Sequence, residues 1–416
     1  MAIFVFALHT AACSGLSATG YAQRGEHQSM RQALREDYRK GRLSPAAVQD
    51  LARVVGEREL HQAEGKTGIQ RVQQVGLCAR ELEDSLKKRA ALHDAAAPWA
   101  ALALLEVDRG DPATWRQLAD SSDDGWRAVG VRTLDHRRYG GKRRAAMLDP
   151  DERVRRSAVL AALEARDTAD RDMLLDVARN DPSRLVRVTA IRALGWVAIE
   201  SDVLAMRDLW ATAPQPVRQA LVAAWSFPGT LERGGQRELI WVAETHAGTP
   251  SVMAGGILMR LGGQTRGIGV AALRKGMQAG IARDRAFAIS MVPLSEPGIL
   301  DLVKKLAEEA EPQVRVAALS KLATHPETGA EARKKLGEIA ASDEPTADKA
   351  QQAMARLGDR RVLRLLLNKA KSSDLRIRQS ALRGLLALGD TQRAAFFMAD
   401  PNAALRTRAA CELLAR

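Results

Sequence analysis

Histidine, cysteine, serine and glycine build most catalytic and metal sites, so their spacing is informative. The seven histidines are His9, His27, His61, His93, His136, His246 and His325. None stands at zinc-ligand spacing from another His or a Cys, and no His-Glu dipeptide occurs. Gly262-Gly263-Gln264-Thr265-Arg266-Gly267 lacks the Gly-Lys-Ser/Thr ending of a phosphate loop, and no strand precedes it. Ser157, Ser290 and Ser380 fall in helical stretches without a nucleophile elbow. Of the three cysteines, Cys78 and Cys411 have no neighbours that would activate a thiol. No catalytic, metal or cofactor-binding residue is assigned, and the expectation is a protein that is not an enzyme and carries no cofactor.

What the chain does offer is charge. The segment His136-Arg137-Arg138-Tyr139-Gly140-Gly141-Lys142-Arg143-Arg144 holds five positive residues and no acid. It precedes Asp149-Pro150, where a loop and a shortened helix are expected. Arg137, Arg138, Tyr139, Lys142, Arg143 and Arg144 are the candidates for binding phosphate, anionic lipid headgroups or an acidic partner. The alternative is a solvated loop balancing Asp149, Asp151 and Glu152. The formal net charge is +13, from 63 Lys and Arg against 50 Asp and Glu. Arg and Ala richness also follows from a GC-rich genome, so net charge alone does not select an anionic partner.

Residues Ala2 to Leu8 form an apolar run, with no charge before Arg24. Small residues follow, so 1–22 reads as a secretory signal. Two processing routes fit. Thr10-Ala11-Ala12-Cys13 resembles a lipobox that would lipidate Cys13, although Thr10 stands where Leu is usual. Gly20-Tyr21-Ala22 is a small-x-small site with cleavage before Gln23. A buried N-terminal helix is the structural alternative. The run is too short to span a bilayer permanently.

A repeat organises the rest. Asp149-Pro150 is followed by Val154-Arg155-x-x-Ala158-x-x-Ala161-Ala162-Leu163, and Asp181-Pro182 by Val186-Arg187-x-x-Ala190-x-x-Ala193-Leu194-Gly195. The unit returns at Val217-Arg218, Val314-Arg315, Ile377-Arg378 and, after Asp400-Pro401, at Leu405-Arg406. Weaker copies place Arg127, Met253, Arg285 and Lys349 at the arginine position, giving a period of about 31 residues. In each unit Asp-Pro reads as a helix start, Asp capping and Pro in the first turn. Apolar residues then recur at three- and four-residue steps, and a second amphipathic segment completes a helix pair. Ala at the contacts explains how 46% hydrophobic coexists with 4% aromatic.

This unit resembles the HEAT-like repeat in its short bacterial form, named after phycobilisome lyases. The resemblance implies an all-α, right-handed α-solenoid of about ten helix pairs over 93–416. It also implies a ladder between units, in which Asp149, Asp181 and Asp400 pair with arginines of their own or neighbouring units. Arg155, Arg187, Arg218, Arg315, Arg378 and Arg406 are its basic members. Residues 23–92 fall outside the repeat and are expected to form an N-terminal helical cap, with helices near 27–40, 45–63 and 68–92. If Cys13 is lipidated, 14–26 would be a flexible tether. Nine glycines between Gly248 and Gly280 suggest loosely packed, degenerate repeats or a hinge. Stacked pairs advance about 8–10 Å each. Cys78 and Cys411 are therefore expected to lie beyond the roughly 7 Å reach of a disulfide, which argues against an oxidising compartment.

The leading expectation is a non-catalytic scaffold for a protein partner. It would be monomeric and either periplasmic or held at a membrane surface by a lipid anchor, with a cytoplasmic location as the alternative. A solenoid that binds nucleic acid or repairs DNA is the second function. A lyase-like or chaperone role on a cofactor-bearing partner is the third, resting on fold analogy alone.

Overall fold

The helix starts are built differently from the sequence expectation. Asp149, Asp181 and Asp400 do not cap helices directly. Each accepts from the backbone N–H two residues on, at Asp151, Ser183 and Asn402, closing a side-chain turn. The residue so placed is the true N-cap: Asp151, Ser183 and Asn402 accept from Arg153, Val186 and Leu405. Pro150, Pro182 and Pro401 therefore precede the helices Glu152–Ala165, Arg184–Val197 and Ala403–Leu414. The carboxylates are left free on their other side to receive an arginine.

The computed structural model describes residues 16–62, 64–92 and 94–416. Segment 1–15, with Cys13, and His93 lie outside them. The described residues are helical without strands, so the fold is all-α. Ala18–Arg24 is a helix with Ala18 and Ala22 buried against the body, where the notion of a tether had expected flexible chain. His27–Arg39 and Pro45–Gln62 follow closely where expected. The third expected helix is broken into Gly65–Val75, a short 3-10 turn at Gly76–Cys78, and Glu83–Ala90. From Ala97–Glu106 onward, first helices of successive units pack on one another in chain order: Asp124–Arg132, Glu152–Ala165, Arg184–Val197 and Gln215–Trp225. The series continues through Thr249–Leu261, Ala282–Met291, Pro312–Leu322, Ala347–Arg356, Leu375–Ala387 and Ala403–Leu414.

Arginines link these helices. Asp149 takes Nε of Arg127 at 2.8 Å, Asp181 takes Arg155 at 2.7 Å, and Asp400 takes Arg378 at 2.8 Å. Each acid is thus paired with the arginine of the preceding unit. The arginine of its own unit instead donates to its backbone carbonyl, Arg155 to Asp149, Arg187 to Asp181 and Arg406 to Asp400, at 3.0, 2.7 and 2.8 Å. Asp149 and Asp124 raise the Arg127 guanidinium above its ordinary pKa. In less regular units glutamates substitute: Glu309 holds Arg285 and Glu344 holds Arg315. Arg187 and Arg218 have no carboxylate partner among the described residues, and Arg218 bonds the Trp210 carbonyl. The same carbonyl contact eight residues back is made by Ser251 to Ala243 and by Arg285 to Met277. Gln351 likewise bonds the Ala340 carbonyl. In these units Ser251 and Gln351, rather than Met253 and Lys349, make the carbonyl contact, eight and eleven residues back.

In the glycine-rich stretch the two helices are tightly packed, not loose, while Gly262, Gly263, Gly267 and Gly280 face open space. A Cβ on Gly269 would lie 2.4 Å from the Met259 nitrogen and 2.5 Å from the Gly255 oxygen. Only glycine lets Thr249–Leu261 and Thr265–Gln278 approach this closely.

The two ends of the series meet. Ala403–Leu414 packs on Pro45–Gln62 and Gly65–Val75, and one apolar core runs through 18–104 and 252–414. Arg31 bonds the Ala399 carbonyl at 3.1 Å, Gln392 the Leu43 carbonyl at 2.8 Å, and Arg71 the Thr407 hydroxyl at 3.3 Å. Cys78 and Cys411 form a disulfide with Cα atoms 5.0 Å apart. This overturns their expected separation. Adding a fixed advance per repeat treats the row as straight, whereas its last helix packs against the N-terminal helices.

Candidate interaction surface

The basic segment 136–144 is not a loop. Arg137–Tyr139 is a 3-10 turn and Gly140–Ala146 a helix. Arg143 is fully buried, bonded to the equally buried Asp170 at 2.7 Å and to the carbonyls of Leu134 and His136. Arg144 shares Asp170 at 3.0 Å, and Lys142 pairs with Asp120 at 2.6 Å. Tyr139 lies between the guanidinium groups of Arg116 and Arg138, 4.8 and 4.6 Å from its ring centre. Arg143 is therefore a structural ion, unavailable to a ligand, and Arg144 and Lys142 are committed to acids. Arg137 and Arg138 remain exposed without a carboxylate partner among the described residues. The acids come from positions more than twenty residues away, which is why the segment reads as acid-free in sequence.

A different surface emerges from the ladder's own register. Counting from each ladder position, residues two before, one after and five after lie on one face of the first helix. These positions line successive grooves. Arg153, Arg156 and Leu160 share a groove with Leu185 of the next unit. Pro216, Gln219, Thr249 and Arg283 line another. Ala286, Ser290, Gln313, Val316, Ser320, Lys349, Gln352, Arg356 and Arg383 line a third, of about 600 Å3, across four units.

The charge along this face is uneven. In the first groove Arg153 pairs with Asp151 at 2.9 Å, and Arg132 with Glu164. In the third, Lys349, Arg356 and Arg383 have no carboxylate within 4 Å among the described residues, and the one acid there is already engaged. Asp348 accepts from Lys369 at 2.7 Å and from the Ser380 hydroxyl. Burial pushes the Asp348 carboxyl up, but these two donors and the charges of Lys369 and Arg383 outweigh it and hold it below the usual carboxylate value. Lys321 is half-buried at the floor, and burial alone lowers its ammonium pKa. Sequence inspection missed Lys321, Lys349, Gln352, Arg356 and Arg383, because each looks like an ordinary exposed helix residue. Counting from the ladder arginine aligns Arg383 alone; Lys349, Gln352 and Arg356 align only from Gln351, which the sequence does not mark.

A second cluster lies behind the first helices. Trp210 stacks on Trp225 with ring centres 5.9 Å apart, and Trp241 and His246 close on it at 5.5 and 4.9 Å. Arg207 caps Trp241 at 4.2 Å. Burial first, and then Arg218, lowers the His246 pKa. With Trp225 fully buried, this cluster joins consecutive units rather than facing a ligand. Among the described residues no group of three or more His, Cys, Asp or Glu side chains is placed to hold a metal ion, and no helix is long and apolar enough to cross a membrane.

No family model matches the chain, and no curated protein matches it. Among solved structures, a crystal structure of an engineered protein is 15% identical, covering 90% of this chain and 99% of that one. Its TM-score is 0.26, too slight a likeness to define a shared fold.

Proposed function

We propose that this chain is a HEAT-like α-solenoid of stacked helix pairs, closed end to end, that acts without catalysis as a scaffold for a protein partner. The observation that carries this reading is the register of the grooves. The same three positions of successive first helices line one groove after another, so the repeat offers a long surface already in place for binding. Preformed surface lowers the ordering cost of association. We place the protein in an oxidising compartment, as an exported or lipid-anchored protein, because a buried disulfide joins its ends.

Site-specific photo-cross-linking in the native host tests both parts. A cross-linker at Gln219 or Gln352, on the first-helix face, should trap one partner. The same group at Arg179 or Glu244, exposed on second helices, should trap none. Fractionation should recover the protein outside the cytosol. Cross-links confined to the second helices would refute the surface, and a cytosolic protein with both thiols free would refute the compartment.

A further inference from the structure

We propose that the groove spanning Ala282–Met291 to Leu375–Ala387 binds an acidic peptide segment, its carboxylates held by Lys349, Arg356 and Arg383. This rests on the protein-partner reading above and names the chemistry of the partner. Three cations converge on one groove with no carboxylate within ion-pairing distance among the described residues. Elsewhere on the molecule arginines are commonly matched, as at Asp149, Asp181 and Asp400. The local acid, Asp348, is spent on Lys369 and Ser380. The groove therefore keeps an unbalanced positive charge that folding does not require. Lys321, half-buried at its floor, makes only a long bond of 3.3 Å to the Ser290 carbonyl. An incoming carboxylate would give that ammonium the partner it lacks.

Shape and polarity favour a peptide over nucleic acid. The groove's volume of about 600 Å3 suits a few residues of extended chain. Ala286, Val316 and Ala317 supply apolar wall, and the Gln313 amide and the Gln352 amide oxygen can bond a peptide backbone, the Gln352 nitrogen being held by Ser380. No aromatic side chain lines it. A groove built for single-stranded nucleic acid would be expected to offer stacking platforms for the bases.

The test is a fluorescence anisotropy titration of the full, disulfide-bonded chain at low ionic strength. The probe is a labelled ten-residue peptide of alternating Glu and Ala, with the Lys-Ala peptide and a thymidine decamer as comparisons. The Glu-Ala peptide should bind, and the Lys-Ala peptide should not. Arg356→Glu/Arg383→Glu should weaken binding by about tenfold or more, and the milder Lys349→Gln by less. Both act on solvent-facing side chains, and circular dichroism checks that the fold survives. Arg53→Glu/Arg179→Glu, the same charge change on exposed residues elsewhere, should leave affinity within about twofold. Absence of Glu-Ala binding, equal loss from the two double variants, or tighter binding of the decamer through the same arginines would each overturn the proposal. The two readings fail separately. A partner cross-linked along the first helices but retained by Arg356→Glu/Arg383→Glu overturns the groove alone. Cross-links confined to the second helices overturn the scaffold surface and leave the peptide titration standing.

Discussion

Replacing Cys411 with Ser, in a Cys13→Ser background, removes the one covalent tie between the ends of the helix series. The bond spans 333 residues of sequence, and both cysteines are buried. In the chain-entropy treatment, closing so long a loop removes about 19 cal/mol/K from the unfolded ensemble, or about 6 kcal/mol at room temperature. Native disulfides generally deliver about 2–5 kcal/mol, so a loss near the top of that range is expected. The folded ends should stay together, because the Arg406–Glu59 pair and the Gln392 and Arg71 bonds remain. The effect should appear as a lower urea midpoint by tryptophan fluorescence, not as an unfolded protein. Midpoints are the quantity to compare, because repeat arrays depart from two-state unfolding. Cys78→Ser, Cys411→Ser and the double variant should all shift the midpoint equally, since they break one bond. Unreduced wild-type chain should also run faster than reduced chain on a denaturing gel. Additive single-variant effects, or maleimide labelling of both thiols in unfolded, unreduced protein, would refute the closure.

Three further outcomes follow from specific contacts. Arg143→Ala should cost about 3–5 kcal/mol, because it strips a fully buried Asp170 of its main partner, whereas Arg137→Ala should shift the thermal midpoint little. Gly269→Ala should cost about 1–3 kcal/mol, since its Cβ would meet Met259 backbone at 2.4 Å and force two helices apart; chemical denaturation reads this directly. His246 is held below the ordinary histidine pKa, so the unfolded chain binds its proton more readily than the folded one. Its contribution is complete above about pH 6.5 and declines as pH falls through the folded value. His246→Gln should flatten the acid-side decline of the thermal midpoint, leaving the part owed to His27 and His61, which are lowered in the same sense.

Helical class and the approximate helix starts after Asp149, Asp181 and Asp400 were readable because three- and four-residue periodicity acts within one or two turns, whereas the caps proved to be Asp151, Ser183 and Asn402. The pairing direction of the ladder was not, because a carboxylate 22 to 26 residues ahead of its arginine and the one in its own unit look equivalent in sequence. Degenerate units shifted the register: Ser251 and Gln351 do an arginine's work on a carbonyl, and no charge pattern marks them. The basic run at 136–144 misled for a related reason. Its acids, Asp120, Asp167 and Asp170, belong to neighbouring segments, so a window confined to the run counts only the positive half. The groove cations were the reverse case. Lys349, Arg356 and Arg383 are scattered along sequence and gather only when successive units stack.

Closure of the series was hidden for a different reason, yet one residue outside the repeat records it. Each ladder arginine before it that pairs with an acid of another unit finds that acid in the unit ahead, so the last one, Arg406, should have nothing to meet. An open end would leave that guanidinium to water. Instead it is 7% exposed, and its Nε donates to Glu59 at 2.5 Å, with Arg71 beside the same carboxylate at 3.7 Å. Glu59 lies within Pro45–Gln62, in a segment with none of the repeat's sequence marks. It does for Arg406 what Asp400 does for Arg378. The N-terminal helices are thus not merely a lid over the first unit. They also stand in for the unit that would follow the last, and the disulfide beside them fixes that substitution covalently. A series held at both ends cannot splay by opening its termini. The spacing of first helices, on which the groove around Lys349, Arg356 and Arg383 depends, is held from both directions along the chain.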